Sequence, residues 1–394
     1  MKLSLNSSSK FLRAPSIRQF SNRIKAIDDC VNLTIGQPDF PIPDVVKNAY
    51  IKAIKNDKTS YSHNKGLFET RQAISQYFKR KYDFFYSEEE IIVTNGASEA
   101  LDTSLRSIIE PGDDILIPGP IYAGYIPLVE TLGGNPVYID TTQSDFKVTP
   151  ELIESHLTHK TKAILLNYPT NPTGVILERS EVKNIVDTLV NKQIFIISDE
   201  IYAENTFKGQ HTSFAEFPEI RDQLLLIGGL SKSHSATGIR IGFLLGAEYL
   251  IEKLTFMHAY NCICANVPAQ IACTTALNEG INAPLYMNRD YIERRDYLKE
   301  KLELLGFELT AQPEGAFYIF PSIKRFTEND FEFCVDVLEK AHLAMVPGSS
   351  FTDIGKGYIR ISYAYDMETL KKGMHRLENY LRQHYPDQMT TQTI

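Results

Sequence analysis

The sequence lacks the segments that would take it to a membrane. No apolar run of about 18 residues, the length a spanning helix needs, occurs in its 394 residues, and Met1 to Lys10 is polar, without the apolar core of a signal peptide. A cytoplasmic location is the expectation. Basic residues are in deficit. Forty-one Lys and Arg against 49 Asp and Glu leave a net charge of −8, so no general positive field attracts nucleic acid or an anionic membrane. An anionic small molecule must then be held by individual arginines. Cysteine is scarce, and the five present (Cys30, Cys262, Cys264, Cys273, Cys334) are an odd number at spacings unlike a disulfide framework. Cys262 and Cys264 lack a second Cys/His pair at zinc-like spacing, so they read as buried thiols and no metal is expected. Internal repeats and low-complexity segments are also missing.

What is present is an ordinary globular composition, 43% hydrophobic and 23% charged, at a length that suggests two or three domains. Short apolar runs recur at Ile91–Val93, Ile115–Ile117, Val137–Ile139, Ala163–Leu166, Ile194–Ile197, Leu224–Ile227 and Ile241–Leu245. Most are separated by enough chain for a crossover helix. Continuous apolarity fits strands buried on both faces, and the alternation with helices predicts an α/β fold with a mainly parallel sheet flanked by helices. Beyond about residue 280 the pattern changes. Tyr291, Leu298, Leu302 and Leu305 share one face of a long helix ending at Gly306. The strands Phe317–Phe320 and Tyr358–Ser362 with a helix between them, and a last helix capped by Asp366, predict a smaller α+β domain. The polar tail from Gln388 onward is expected to fray.

Ligands of such sheets bind beyond the carboxyl ends of the strands. Asn171, Asp199 and Lys232 all fall there. Lys232 alone reads as a solvated lysine, but eight positions later stands Arg240, and upstream lie Asn171-Pro172 and Asp199-Glu200-Ile201-Tyr202. An amine, a carboxylate, an amide, a phenol and a guanidinium suit an aldehyde cofactor bearing a phosphate and a ring nitrogen. Asp199 is placed to keep a pyridine nitrogen protonated, with Tyr202 and Asn171 donating to a ring oxygen, whereas Glu200 reads as the cap of the next element. Gly96-Ala97-Ser98, between a strand and a helix, offers amides to a phosphate, and Arg240 adds a charged fork. Arg360, inside the apolar strand Tyr358–Ser362, needs a carboxylate, either a substrate's or an internal one. His63, His234 and His342 fit no metal or triad spacing and read as surface or packing residues.

Together these features resemble the fold-type I pyridoxal-phosphate aminotransferases, class I/II, in the subgroup typical of bacteria. The likeness runs from Leu33–Phe40 to the final helix through Gly36, Tyr61, Gly96-Ala97-Ser98, Tyr122, Asn171–Gly174, Asp199–Tyr202, Ser231-Lys232, Arg240 and Arg360. The resemblance implies that Lys232 carries pyridoxal 5'-phosphate as a Schiff base and shuttles the substrate's α-proton. It implies that Asp199 pairs with the ring nitrogen, that Asn171 and Tyr202 contact the ring oxygen, and that Tyr122 stacks on the ring. Ser231, Arg240 and the amides of Ala97 and Ser98 would bind the phosphate, joined by Tyr61 of a neighbouring subunit, and Arg360 and the backbone at Gly36 would hold the α-carboxylate. A homodimer with shared sites is implied. So is a division into residues 1–45 as an N-terminal arm and part of the small domain, 46–285 as the large domain, and 286–394 as the small C-terminal domain.

Gly229 stands where some relatives use a phosphate-binding serine, and Ser98 where aspartate-specific members often have lysine. Pro118–Tyr122, Gly229–Ser235 and Val346–Phe351 resemble the branch that moves an amino group from N-acetyl-L,L-2,6-diaminopimelate to 2-oxoglutarate in lysine biosynthesis. Aspartate or aromatic aminotransferases and a carbon–sulfur β-lyase are the alternatives. A cofactor-binding transcription regulator would need a helix-turn-helix domain, for which there is no room before Gly36. Side-chain selection is expected from Ile17 to Phe20 and from loops, with Tyr260–Cys264 either in that wall or in the core.

Overall fold

Alternating apolar side chains divide the central sheet between two cores. The computed structural model describes residues 3, 6–12, 23–25 and 27–389; the segment Ile17 to Phe20 and the tail beyond 389 lie outside them. After the two-residue strand β1 (Val31–Asn32) come β2 (Ile91–Thr94), β3 (Asp114–Gly119), β4 (Asn135–Asp140), β5 (Thr161–Asn167), β6 (Phe195–Asp199), β7 (Leu224–Gly229) and β8 (Gly242–Leu245). The last seven form one sheet in the order β2-β8-β7-β6-β5-β3-β4. From β7 to β4 all neighbours are parallel, as expected, while β8 runs antiparallel to both β7 and β2. The connection from β7 to β8 holds only the one-turn helix Leu230–Ser233 and the turn Thr237–Ile239, with no crossover helix to carry the chain back for a parallel return.

Leu116, Ile164, Leu166, Ile196, Leu224 and Leu226 pack on one face of the sheet. Their neighbours Ile115, Ile117, Ala163, Leu165, Ile197, Leu225 and Ile227 pack on the other. Period-two alternation within continuous apolar runs is the signature of strands covered on both sides. β4, at the edge of the sheet, departs from it: Ile139 is buried, but Tyr138 is 38% exposed.

A third core gathers Val31 and Leu33 with Tyr291, Leu298 and Leu302 of the helix Ala283–Leu304 and Leu370, Met374, Leu377 and Leu381 of the helix Met367–His384. Gly306, at φ +92°, ends the first helix, and the Asp366 carboxylate caps the second by accepting from the Thr369 amide at 2.8 Å. The small strands β9 (Tyr318–Ile319), β10 (Leu343–Ala344), β11 (Val346–Pro347) and β12 (Ile359–Ser362) complete it. β12 lies between β11 and β9, antiparallel to both, and β1 pairs in parallel with β10. The Leu33 carbonyl accepts from Ser362 N–H at 3.0 Å, so the early segment is knitted to the last third of the chain. No helix among the described residues is long and apolar enough to cross a membrane.

Candidate active site

Asp199 is the last residue of β6, at the carboxyl end of the parallel strands, and is buried. Tyr125 donates its hydroxyl to Asp199 Oδ2 at 2.6 Å and the Ile201 amide donates to Oδ1 at 3.1 Å. Asn167, ending β5, donates from Nδ2 to the Asp199 carbonyl at 2.9 Å. Burial outweighs these donors and pushes the carboxyl up to about 6. Lys232 lies in the one-turn helix Leu230–Ser233 directly after β7. Its Nζ donates to the Gly36 carbonyl at 2.7 Å and lies 5.7 Å from the Tyr202 ring centroid. Burial, with help from the Arg360 charge, lowers its pKa to about 8, against the opposing pull of Asp199. Burial thus raises a carboxyl and lowers an amine at the mouth of one sheet, bringing both toward neutral pH as a reactive site requires.

At the end of β2 the chain turns through Gly96, at φ +85°, into the helix Ala97–Ile108. The amides of Ala97 and Ser98 belong to its first turn, where a helix has no earlier carbonyl to receive them. Arg240 meets this turn: Nη2 donates to the Asn95 carbonyl at 3.4 Å, and a Cβ on Gly96 would stand 2.5 Å from the same nitrogen. Ser231 is buried one residue before Lys232. At Gly229 a Cβ would stand 2.9 Å from the Ile241 carbonyl and 3.0 Å from Gly242 Cα, so close packing of β7 on β8 disfavours a serine there.

Arg360 is buried in β12. It donates from Nη1 to Asn171 Oδ1 at 2.9 Å and from Nη2 to the Thr34 carbonyl at 2.5 Å, and its guanidinium carbon lies 4.4 Å from the Tyr318 ring centroid. Its Nε is buried without a hydrogen-bond partner, and among the described residues no carboxylate forms an ion pair with it. The internal salt bridge weighed from the sequence is therefore absent among them. A buried guanidinium without an anion is costly, and its fork suits a bound carboxylate.

Tyr202 is buried with its hydroxyl 2.7 Å from that of Tyr318. Tyr122, 46% exposed, meets Tyr125 edge-on at 5.3 Å. The fold thus gathers Gly36, Tyr122, Asn171, Asp199, Tyr202, Lys232 and Arg360 around one mouth, with Gly96, Ala97, Ser98 and Arg240 at the turn. Tyr61 is 78% exposed, and among the described residues no hydrogen bond or ring contact joins it to them. Tyr125 and Tyr318 were not foreseen as site residues. Tyr125 follows Tyr122 by three positions at the start of the helix Tyr125–Thr131, which was the available hint; Tyr318 comes from another core and left none.

Glu200 is buried and meets the next element as expected, though across a loop: it accepts from the amide of Phe214, first residue of the 3-10 turn Phe214–Glu216, at 3.1 Å and from the Ser198 hydroxyl at 2.9 Å, and meets His211 Nε2 at 2.8 Å. It draws the following loop back onto the strand end. The reading of Cys262 and Cys264 as buried thiols needs correction, since both are only partly buried. Cys262 Sγ lies 2.9 Å from Glu99 Oε1, which also meets His258 Nδ1 at 2.8 Å. The other Glu99 oxygen accepts from the Asn95 amide at 2.5 Å and from Asn95 Nδ2 at 3.1 Å. The carboxylate is thereby saturated with donors. Ligands on one tetrahedral zinc would stand apart by roughly 3.3–3.6 Å, so the two short contacts are hydrogen-bond distances. The group anchors the turn ahead of Gly96.

A family model described as aminotransferase class I and II matches residues 28–377. A protein of Bacillus subtilis (strain 168) named "probable N-acetyl-LL-diaminopimelate aminotransferase" is 46% identical over 96% of this chain and 95% of its own. An aspartate aminotransferase of Thermotoga maritima is 34% identical over 91% of this chain and 93% of its own. The crystal structure of an aromatic aminotransferase from Pyrococcus horikoshii superimposes with a TM-score of 0.87 at 32% identity, over 92% of this chain and 99% of that one. The strand-end lysine and aspartate, the glycine turn with its arginine, and the unpaired buried arginine thus stand in a chain that belongs to the class I and II aminotransferases, pyridoxal-phosphate-dependent enzymes of fold type I.

Proposed function

We propose that this aminotransferase takes N-acetyl-L,L-2,6-diaminopimelate as amino donor and 2-oxoglutarate as acceptor, in cytoplasmic lysine biosynthesis. The name of the 46% identical Bacillus relative supports the donor. The structural observation that carries the amino-acid reading is Arg360, buried beside Lys232 with no carboxylate of the described chain to meet it. Both substrates bring an α-carboxylate to that fork.

Pyridoxal phosphate fits the residues present. Gly96, Ala97, Ser98, Ser231 and Arg240 would hold its phosphate, Asp199 its ring nitrogen, Asn171 and Tyr202 its ring oxygen, and Tyr122 its face. When bound it supplies an electron sink for the substrate's α-carbon. Asp199, pushed up to about 6, is ionised at pH 7 and keeps the ring nitrogen protonated. Lys232 Nζ, whose pKa is brought down to about 8, would as the base take the proton from the substrate Cα and deliver it to the cofactor's C4′ carbon. Gly36 and Arg360 orient the α-carboxylate, and Asn171, which accepts from Arg360, keeps the fork aimed.

We read residues 46–285 as the large domain, 286–394 as the small C-terminal domain, and 1–45 as an N-terminal arm and part of the small domain. A homodimer with shared sites completes the phosphate grip through the partner subunit's Tyr61. In its support, Tyr61, Phe256, Tyr260 and Ile263 are all exposed, and Asn64 Nδ2 donates to the Ile263 carbonyl at 2.8 Å, tying the two segments into one patch.

Single-turnover absorbance scans of the holoenzyme with a panel of amino acids test the donor. The acylated diaminopimelate is expected to convert the cofactor to its amine form fastest; brisk conversion by aromatic amino acids or aspartate with none by the acylated donor would refute the assignment. Pyruvate and ammonia released from cystathionine without a keto acid would mark a β-lyase instead. Arg360→Ala should lower kcat/KM for the favoured donor by about 100-fold, the worth of a charge-assisted bidentate contact.

A further inference from the structure

Tyr318 occupies the junction of three elements of the site. Its hydroxyl faces that of Tyr202 at 2.7 Å, its ring lies beneath the Arg360 guanidinium, and its oxygen fills the space beside Gly36, 2.3 Å from where a Cβ would stand. Both phenols are buried, and among the described residues neither hydroxyl has a second hydrogen-bond partner. Two facing hydroxyls share a single proton along their contact, so the direction of donation decides where the other proton points. If Tyr202 donated to Tyr318, its proton would be used within the protein. If Tyr318 donates, the Tyr202 proton is left for the ligand.

Electrostatics favours the second direction. Arg360 eases proton loss from both phenols, but its guanidinium lies on the Tyr318 ring at 4.4 Å, closer than Lys232 Nζ lies to the Tyr202 ring at 5.7 Å, and Asp199 opposes loss of the Tyr202 proton, so Tyr318 is the readier donor. We propose that Tyr318 is a positioning residue for Tyr202: it donates to the Tyr202 oxygen and turns the Tyr202 proton toward the ring oxygen of the cofactor. The inference rests on the proposed contact of Tyr202 with that oxygen. A hydroxyl that accepts one hydrogen bond donates a stronger one. A stronger donor at the ring oxygen stabilises the negative charge that grows when the Lys232 nitrogen bound to the cofactor loses its proton, and so lowers the pH at which it leaves.

The test is a spectrophotometric pH titration of the bound cofactor in the holoenzyme, in Tyr318→Phe, in Tyr202→Phe and in the double variant. Tyr318→Phe should move the midpoint of the visible transition upward by about half a pH unit, as expected for a neutral hydrogen bond felt through one intermediary. Tyr202→Phe should move it at least as far, and adding Tyr318→Phe to Tyr202→Phe should add nothing. The amino donor's KM should stay within about twofold in Tyr318→Phe, because the ring beneath Arg360 is kept. An unchanged midpoint in Tyr318→Phe, or an equal shift with and without the Tyr202 hydroxyl, would overturn the proposal. A wild-type protein with no titrating cofactor band would instead overturn the cofactor reading on which it depends.

Discussion

At the scale of single residues, burial does most of the chemical tuning. It pushes Asp199 up to about 6 and lowers Lys232 to about 8. Below pH 6 Asp199 is protonated and cannot hold the ring nitrogen as a cation's partner; below pH 8 Lys232 is mostly ammonium and cannot attack an aldehyde. The rate at which cofactor-free enzyme recombines with pyridoxal phosphate should therefore rise with pH through about 6 and again toward about 8, as followed by stopped-flow absorbance. A flat profile across that window would contradict the assigned pair.

At the scale of elements, the turn from β2 into the helix Ala97–Ile108 depends on a residue without a Cβ. Gly96→Ala would strain a left-handed backbone at φ +85° and drive a methyl to 2.5 Å from Arg240 Nη2. Backbone strain alone costs about 1–3 kcal/mol, and displacement of the arginine adds to the loss. Cofactor affinity, measured by titrating the cofactor-free variant, should fall by at least about tenfold while the far chemistry of Lys232 stays intact. The strands were readable because continuous Ile, Val and Leu runs have few other places to go, and Asn171, Asp199 and Lys232 were readable because each follows such a run. The direction of β8 was not, since a strand's apolarity carries no sign of its orientation. Glu99, His258 and Cys262 could not be grouped either: their meeting depends on how two distant helices pack, and no local pattern records it. For the same reason Tyr318 went unread. It sits in an apolar strand like its neighbours, and only the docking of the third core against the sheet turns its hydroxyl to Tyr202.

At the scale of the whole molecule, the site is closed by chain that is far away in sequence. Gly36 supplies the carbonyl that receives Lys232, Thr34 the carbonyl that receives Arg360, and both lie on the segment that β1 and Leu33 fasten to the C-terminal unit. Arg294, on the helix Ala283–Leu304, pairs with Asp39 at 2.9 Å and fixes the far end of that segment. The proposed second copy would cover the exposed patch around Tyr260 and Ile263. Sedimentation should give twice the chain mass, and Tyr260→Asp should shift the protein toward monomer and weaken cofactor retention together, the second through loss of the partner subunit's Tyr61. A monomeric wild type with full activity would remove the shared site. The most direct measurement of the central claim is borohydride reduction of the holoenzyme followed by peptide mass mapping. The expected result is the reduced cofactor on the peptide carrying Lys232 and on no other; an unmodified Lys232, or the cofactor fixed to a different lysine, would contradict it.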